Sequence, residues 1–239
     1  MEQAMNRRTV LGGVAAMAGM ASVGAGRGRI AMVHGQSGDP MKDRRHIRLL
    51  KPSLKGRLTL EEAIARRRSV REFSDHPLSL EEIGQLLWAA DGITGHVSYL
   101  RTHPSAGALH PLEVYLLDPD GVFHYEPEEH RLCLVQEGDQ RADLAKAAHR
   151  QWFIADAPCV IAITAVYART TGKYGDRGRI RYVPMDAAHS AQNVLLQAVA
   201  LGLAAVPVGA FDDDGVRAVM GTPSNEVPLY LIPIGRHRG

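Results

Sequence analysis

Residues 157–167 read APCVIAITAVY, a nearly continuous apolar run of β-branched and small side chains. A run of this type reads as a central strand buried on both faces, so packing elements are needed on either side of the sheet that holds it. One such element is visible at 186–201, DAAHSAQNVLLQAVAL. There Ala187, Ala191, Val194, Leu195, Ala198 and Leu201 recur at helical spacing, and Gly202 follows as a stop.

The remaining elements arrange themselves around that pair. Thr59 with Glu62, and Ser79 with Glu82, have the spacing of capping boxes and start helices in TLEEAIARRRS and SLEEIGQLLWAADGI. Leu60 and Ile64 share one face of the first helix. Strands are expected at 112–117, 122–125 and 132–135, then a short helix within 139–150. Further strands in AAVPVGAF and PLYLIPIG enclose a short helix at 213–220. Without regular βαβ alternation this is an α+β domain, spanning 58–239.

The N-terminus is different material. Residues 1–26 carry Arg7 and Arg8 before a Gly/Ala-rich stretch of moderate hydrophobicity, the form of a twin-arginine-like export signal. The run from Val10 to Val23 is too short and glycine-rich for a stable membrane span, which needs about 20 predominantly apolar residues. An exported, periplasmic or extracytoplasmic protein is expected, and residues 27–57 read as a linker or arm. With a formal net charge of +2 and 5% aromatic residues, the chain has neither the basic surface nor the stacking platforms of a nucleic-acid binder. Cys133 and Cys159, both among apolar neighbours, read as buried small hydrophobes. His124, His130 and Cys133 lack a tight metal-ligand spacing, so no metal site is expected.

Four stretches carry chemistry. RRRSVREF puts four arginines and a serine at a helix end, which is either a solvated basic terminus or a phosphate site. THPSAGALHP offers an open backbone that a planar ligand can approach closely. AAVPVGAFDDD ends a strand in Gly209 and Ala210, whose exposed amides suit a carbonyl or ring nitrogen. IPIGRHRG closes the chain with two more arginines.

Together and in this order, these motifs resemble the FMN-dependent nitroreductase superfamily, and within it the SagB/ThcOx-type dehydrogenases, over about residues 60–238. The resemblance implies a mixed sheet flanked by helices and an intertwined homodimer with FMN at each interface. It also implies hydride transfer between flavin and a small organic substrate, with NAD(P)H or another electron partner. Arg67, Arg68, Ser69 and Arg71 match the phosphate and ribityl contacts, joined at the C-terminus by Arg236 and Arg238. Pro104, Ser105 and Ala106 match the loop that reaches the flavin from the other subunit, and Gly209 and Ala210 match the strand end beside N5. Lys173 and Tyr174 match a pair associated with proton removal in azoline oxidation, and the plain alternative is an exposed loop with a solvated lysine. His110 stands where this branch often has tyrosine. Azoline-type dehydrogenation is the alternative activity, and a flavin-binding module without turnover is the alternative of another class.

Overall fold

The structure, a computed structural model, describes residues 46–95 and 100–238. The expected export signal and the first part of the expected arm lie outside them. In chain order the elements begin with β1 (His46–Arg48), α1 (Leu60–Arg66), α2 (Leu80–Asp91), β2 (Ile93–Gly95) and β3 (Leu100–Arg101). Three strands follow, β4 (Leu112–Asp118), β5 (Gly121–Glu126) and β6 (Arg131–Glu137), then α3 (Arg141–Ala147) and α4 (Phe153–Asp156). The second half holds β7 (Cys159–Ala165), α5 (Tyr167–Arg177), α6 (Val183–Ala200), β8 (Ala204–Ala205), α7 (Asp213–Met220) and β9 (Val227–Gly235).

Seven strands form one sheet in the order β1-β6-β5-β4-β7-β9-β8. The apolar run becomes β7, in the middle, with every residue buried. It pairs antiparallel with β4 from Leu112↔Ala165 to Leu117↔Val160, and with β9 from Cys159↔Ile234 to Ala165↔Val227. Side chains alternate across a strand. Cys159, Ile161, Ile163 and Ala165 therefore join a core with Leu86, Leu87, Val194 and Ala198 of α2 and α6. Val160 and Ala162 join a second core with Leu144, Ile154, Val216 and Met220 of α3, α4 and α7. Burying each of those larger side chains contributes about 1.5–3 kcal/mol. The two cores make a three-layer molecule in which β7 touches both covers.

Both capping boxes form as expected. Thr59 Oγ1 accepts from the Glu62 amide while Glu62 reaches back to the Thr59 amide, and Ser79 and Glu82 do the same at α2. The two cysteines are free and buried, and burial pushes each thiol up to about 12. Every ladder between these strands is antiparallel, and the sheet becomes mixed only at its edge, where Ser69 pairs in parallel with Ala205.

Three elements differ from expectation. His46–Arg48, inside the segment read as an arm, is an edge strand paired with Arg131–Cys133. AAVPVGAF is a strand only at Ala204–Ala205, because Pro207 has no N–H to give a ladder. The segment around Lys173, for which no element is expected and an exposed loop is the plain alternative, is helical, running through α5 and a π-helical turn at Gly178–Tyr182.

Candidate functional site

The arginine run leaves α1 as an extended edge. Ser69 bridges Ala205 in parallel, and the Val70 amide donates to the Ala205 carbonyl at 3.1 Å. On its other side the edge meets the C-terminus. Phe73 bridges His237, the Ser74 amide donates to the Arg236 carbonyl at 2.9 Å, and the Arg238 amide to that of Glu72 at 3.3 Å. Three motifs distant in sequence therefore form one basic ledge: Arg67–Arg71, the strand end after Ala205, and Arg236–Arg238. Arg71 extends the ledge toward Gly209 and Ala210. Its guanidinium lies over the Phe153 ring at 5.5 Å, and the neighbouring Gln151 Nε2 donates to the Ala210 carbonyl at 2.8 Å. Gly209 and Ala210 are exposed, and a Cβ added at Gly209 would meet nothing within 4 Å.

The arginines are not equivalent. Arg66 pairs with Glu62 on its own helix. Arg68 folds back so that its Nη1 donates to the Ala65 and Arg67 carbonyls at 3.0 and 2.7 Å, satisfying groups at the α1 C-terminus. Arg236 is held by Glu82 at 2.9 and 3.1 Å. Among the described residues, Arg67, Arg71 and Arg238 have no carboxylate partner. Three uncommitted guanidiniums and the Ser69 hydroxyl are the donor set that a phosphate dianion requires. By this criterion the residues present fit the phosphate end of FMN, and an open backbone at Gly209–Ala210 leaves room beside it for a ring edge.

A second group lies elsewhere in the same chain. The loop before β4 contains Pro104, Ser105 and Ala106, with Ala106–Ala108 as a single 3-10 turn. Ser105 Oγ donates to Asp186 of α6 at 2.7 Å and accepts from the His110 amide at 3.0 Å. The Ser105 side chain is thus a brace, and only the loop's backbone is left for a ligand. Gly107 has φ +64°, and a Cβ there would stand 2.8 Å from the Tyr174 hydroxyl and 3.1 Å from Lys173 Nζ. The Ser-Ala-Gly loop and the Lys-Tyr pair are therefore adjacent, although 66 positions separate Gly107 from Lys173. Lys173 Nζ lies 5.3 Å from the Tyr174 ring centre, and Tyr174 packs edge-on against Tyr182 at 5.0 Å. His110 is close by, with φ +43° and a buried Nδ1 that has no partner. Burial, then the Arg101 charge, holds its ring below the ordinary 6.5.

No hydrogen bond or ion pair among the described residues joins the two groups. The loop leads into β4, while the ledge runs along β8, and in the strand order these are three spacings apart, about 14 Å. His124, His130 and Cys133 are used separately: His124 on Glu113 at 2.7 Å, His130 on Tyr125 and the Leu50 carbonyl, Cys133 on His46. Asp186, Gly107 and Phe153 escaped the sequence reading. Of these, only Gly107, inside Ser-Ala-Gly, carries a local signal.

An antiparallel α+β domain with a phosphate-type ledge at one sheet edge and a Lys-Tyr pair beside a glycine loop has the features of a flavin-type oxidoreductase. Comparison with known proteins agrees with this. Residues 64–236 match the model of the nitroreductase family, and the chain belongs to that family and is an oxidoreductase. A Methanocaldococcus jannaschii protein named as a nitroreductase is 45% identical over 185 residues, covering 75% of this chain and 91% of the relative. A crystal structure of a Ralstonia eutropha protein named as a nitroreductase superposes with a TM-score of 0.75 at 28% identity, over 82% of this chain and 90% of that one. The NADPH:FMN oxidoreductase of Vibrio harveyi, solved with NAD+, shares the fold at a TM-score of 0.55 and 20% identity, over 75% of this chain and 69% of that one.

Proposed function

We propose that this chain is an FMN-dependent, SagB-type oxidoreductase that works as a homodimer on a small organic substrate. The observation that carries the reading is the ledge, where backbone pairing brings the segments that hold Arg67, Ser69, Arg71 and Arg238 side by side, and among the described residues none of these three arginines has a carboxylate partner. FMN, when bound, supplies the hydride chemistry, and the protein supplies position and electrostatics. Arg67, Ser69, Arg71 and Arg238 hold the phosphate. Gly209 and Ala210 offer backbone to the ring edge. Lys173 and Tyr174, beside Gly107, take up or return the proton that accompanies hydride loss from carbon.

Dimerisation is supported by two features. The two groups are separated within one chain, so a second copy is needed to bring a Pro104–Ala106 loop to a ledge. Leu60 and Ile64, the apolar face of α1, are 62% and 56% exposed, as expected of a surface that another chain covers. A second reading, dehydrogenation of an azoline ring, is supported by the adjacency of Lys173 and Tyr174 to the loop. NAD(P)H or another electron carrier completes the cycle, and the Arg7–Arg8 signal directs the protein out of the cytoplasm.

The test is direct. The purified full-length chain is expected to be yellow and to release FMN on denaturation. A colourless protein that also fails to take up added FMN contradicts the proposal.

A further inference from the structure

His103 precedes the glycine loop and is 3% exposed. Its Nε2 lies 2.9 Å from Asp91 Oδ1, and its Nδ1 lies 3.1 Å from the Pro104 carbonyl oxygen. A carbonyl only accepts, and so does an ionised carboxylate. Each ring nitrogen thus faces an acceptor, and the clamp is set by the two distances together. Asp91 is in turn held by Arg101, whose Nη1 is 3.4 Å from Oδ2 and donates to the Asp91 carbonyl at 3.0 Å. Arg101 Nη2 continues to Glu128 at 2.8 Å. The chain Glu128–Arg101–Asp91–His103 thus runs from the surface, across the C-terminus of α2, to one backbone carbonyl of the loop.

That carbonyl belongs to a loop that does not hold its own shape. Ala108 and His110 have φ of +54° and +43°. For residues other than glycine such conformations cost of order 1–3 kcal/mol each, and they persist only where the surroundings enforce them. After Pro104 the loop is anchored by the Ser105–Asp186 bond to α6 and by Arg169 Nη1, which donates to the His110 carbonyl at 3.0 Å. Before it, Asn193 Nδ2 and the Gly92 carbonyl hold Thr102, each at 3.0 Å, and His103 is the side chain that reaches the Pro104 carbonyl itself.

We propose that His103 is a positioning residue of the flavin-side loop, its ring clamped between Asp91 and the Pro104 carbonyl so that it holds the Pro104–Ala106 backbone in place for the cofactor. The proposal rests on the FMN reading above. His103 touches neither substrate nor flavin and acts through Pro104.

The experiment titrates full-length wild type, His103→Ala and His103→Gln with FMN and with riboflavin, following quenching of flavin fluorescence, with the thermal midpoint measured in parallel. Riboflavin lacks the phosphate, so it separates the loop from the ledge. In both variants the two flavins are expected to bind about tenfold more weakly, the scale of one lost hydrogen bond to a charged group, with their affinity ratio unchanged. Added imidazole is expected to restore binding to His103→Ala, where it can occupy the vacated space, and not to His103→Gln. Wild-type affinities in both variants overturn the proposal, as does loss of only the preference for FMN over riboflavin. A lowered midpoint and weak binding that imidazole does not restore assign His103 a merely structural role and also overturn it. A wild-type chain that binds neither flavin overturns the cofactor reading and this proposal with it.

Discussion

Arginines that look alike in the sequence do different work once their neighbours are known. The sequence sets Arg66 apart from Arg67, Arg68 and Arg71, and the structure divides them further: Arg66 faces Glu62, Arg68 closes α1, and Arg67 and Arg71 have no carboxylate partner among the described residues. The difference follows from which carbonyl or carboxylate lies within reach, information that no local pattern contains. Arg71→Ala is therefore expected to weaken FMN binding about tenfold or more, since hydrogen bonds to charged groups contribute about 1.5–3 kcal/mol. Riboflavin binding should stay unchanged. Arg68→Ala is expected to cost about 0.5–1.5 kcal/mol of stability by urea titration and to leave FMN affinity near wild type. Equal losses of FMN affinity in the two variants would reject this division. Glu226 makes a second residue-scale prediction. It is buried, accepts hydrogen bonds from Tyr115 at 2.9 Å and Thr164 at 2.6 Å, and burial raises its pKa above the ordinary 4.5. Over the window from 4.5 up to the raised folded value, the native state binds more protons than the unfolded state. The stability from this group is then fully present below 4.5 and is lost as pH rises through the window. Urea midpoints across that range should fall more steeply with pH in wild type than in Glu226→Gln, and parallel curves would refute the assignment.

At the level of elements, legibility tracked the strength of local signals. Capping boxes set the starts of α1 and α2, and the apolar run marked β7, because each is decided by residues a few positions apart. α5 was unreadable for the opposite reason. Within Tyr167–Arg177 only Thr170 is buried, Gly172 and Gly175 interrupt the sequence, and Gly175 has φ +53° and a non-helical ψ. A helix of this kind has neither a strong propensity nor an apolar stripe to announce it in the sequence. The same limit hid the contact inside the second group, because nothing in GKYGD indicates that Lys173 and Tyr174 lie against Gly107. Gly107→Ala tests that contact. The added methyl would sit 2.8 Å from the Tyr174 hydroxyl at a backbone φ of +64°. The strain is expected to cost about 1 kcal/mol or more of stability. If the Lys-Tyr pair handles the proton, substrate oxidation should fall much further than FMN affinity, since the ledge is untouched. Flavin loss with oxidation per bound flavin preserved would place the pair outside the chemistry.

For the whole molecule, the decisive geometry is the strand order. It puts the ledge beside β8 and the loop at the start of β4, with β7 and β9 between them. The resemblance implied that ledge and loop belong to different subunits, but no motif records the strand order that spaces them within one chain, because that order depends on long-range pairing. If a symmetric dimer joins each ledge to the other chain's loop, the halves can be inactivated independently and then recombined. With FMN held well below the Kd that Arg71→Ala leaves, that variant's ledge stays empty, and Gly107→Asp, adding bulk and charge beside Lys173 and Tyr174, disables a loop. Each homodimer should then lack turnover. A mixed dimer has one site built from both damaged halves and one built from both intact halves. Random pairing should therefore restore activity at about a quarter of all sites. The mixture, prepared by co-expression or by unfolding and refolding together, is assayed for flavin-dependent turnover against each variant alone. Recovery to that level requires ledge and loop to come from different chains. No recovery, with mixed dimers demonstrated by mass, would mean that each chain builds its site alone, and the separation across the sheet would need another explanation.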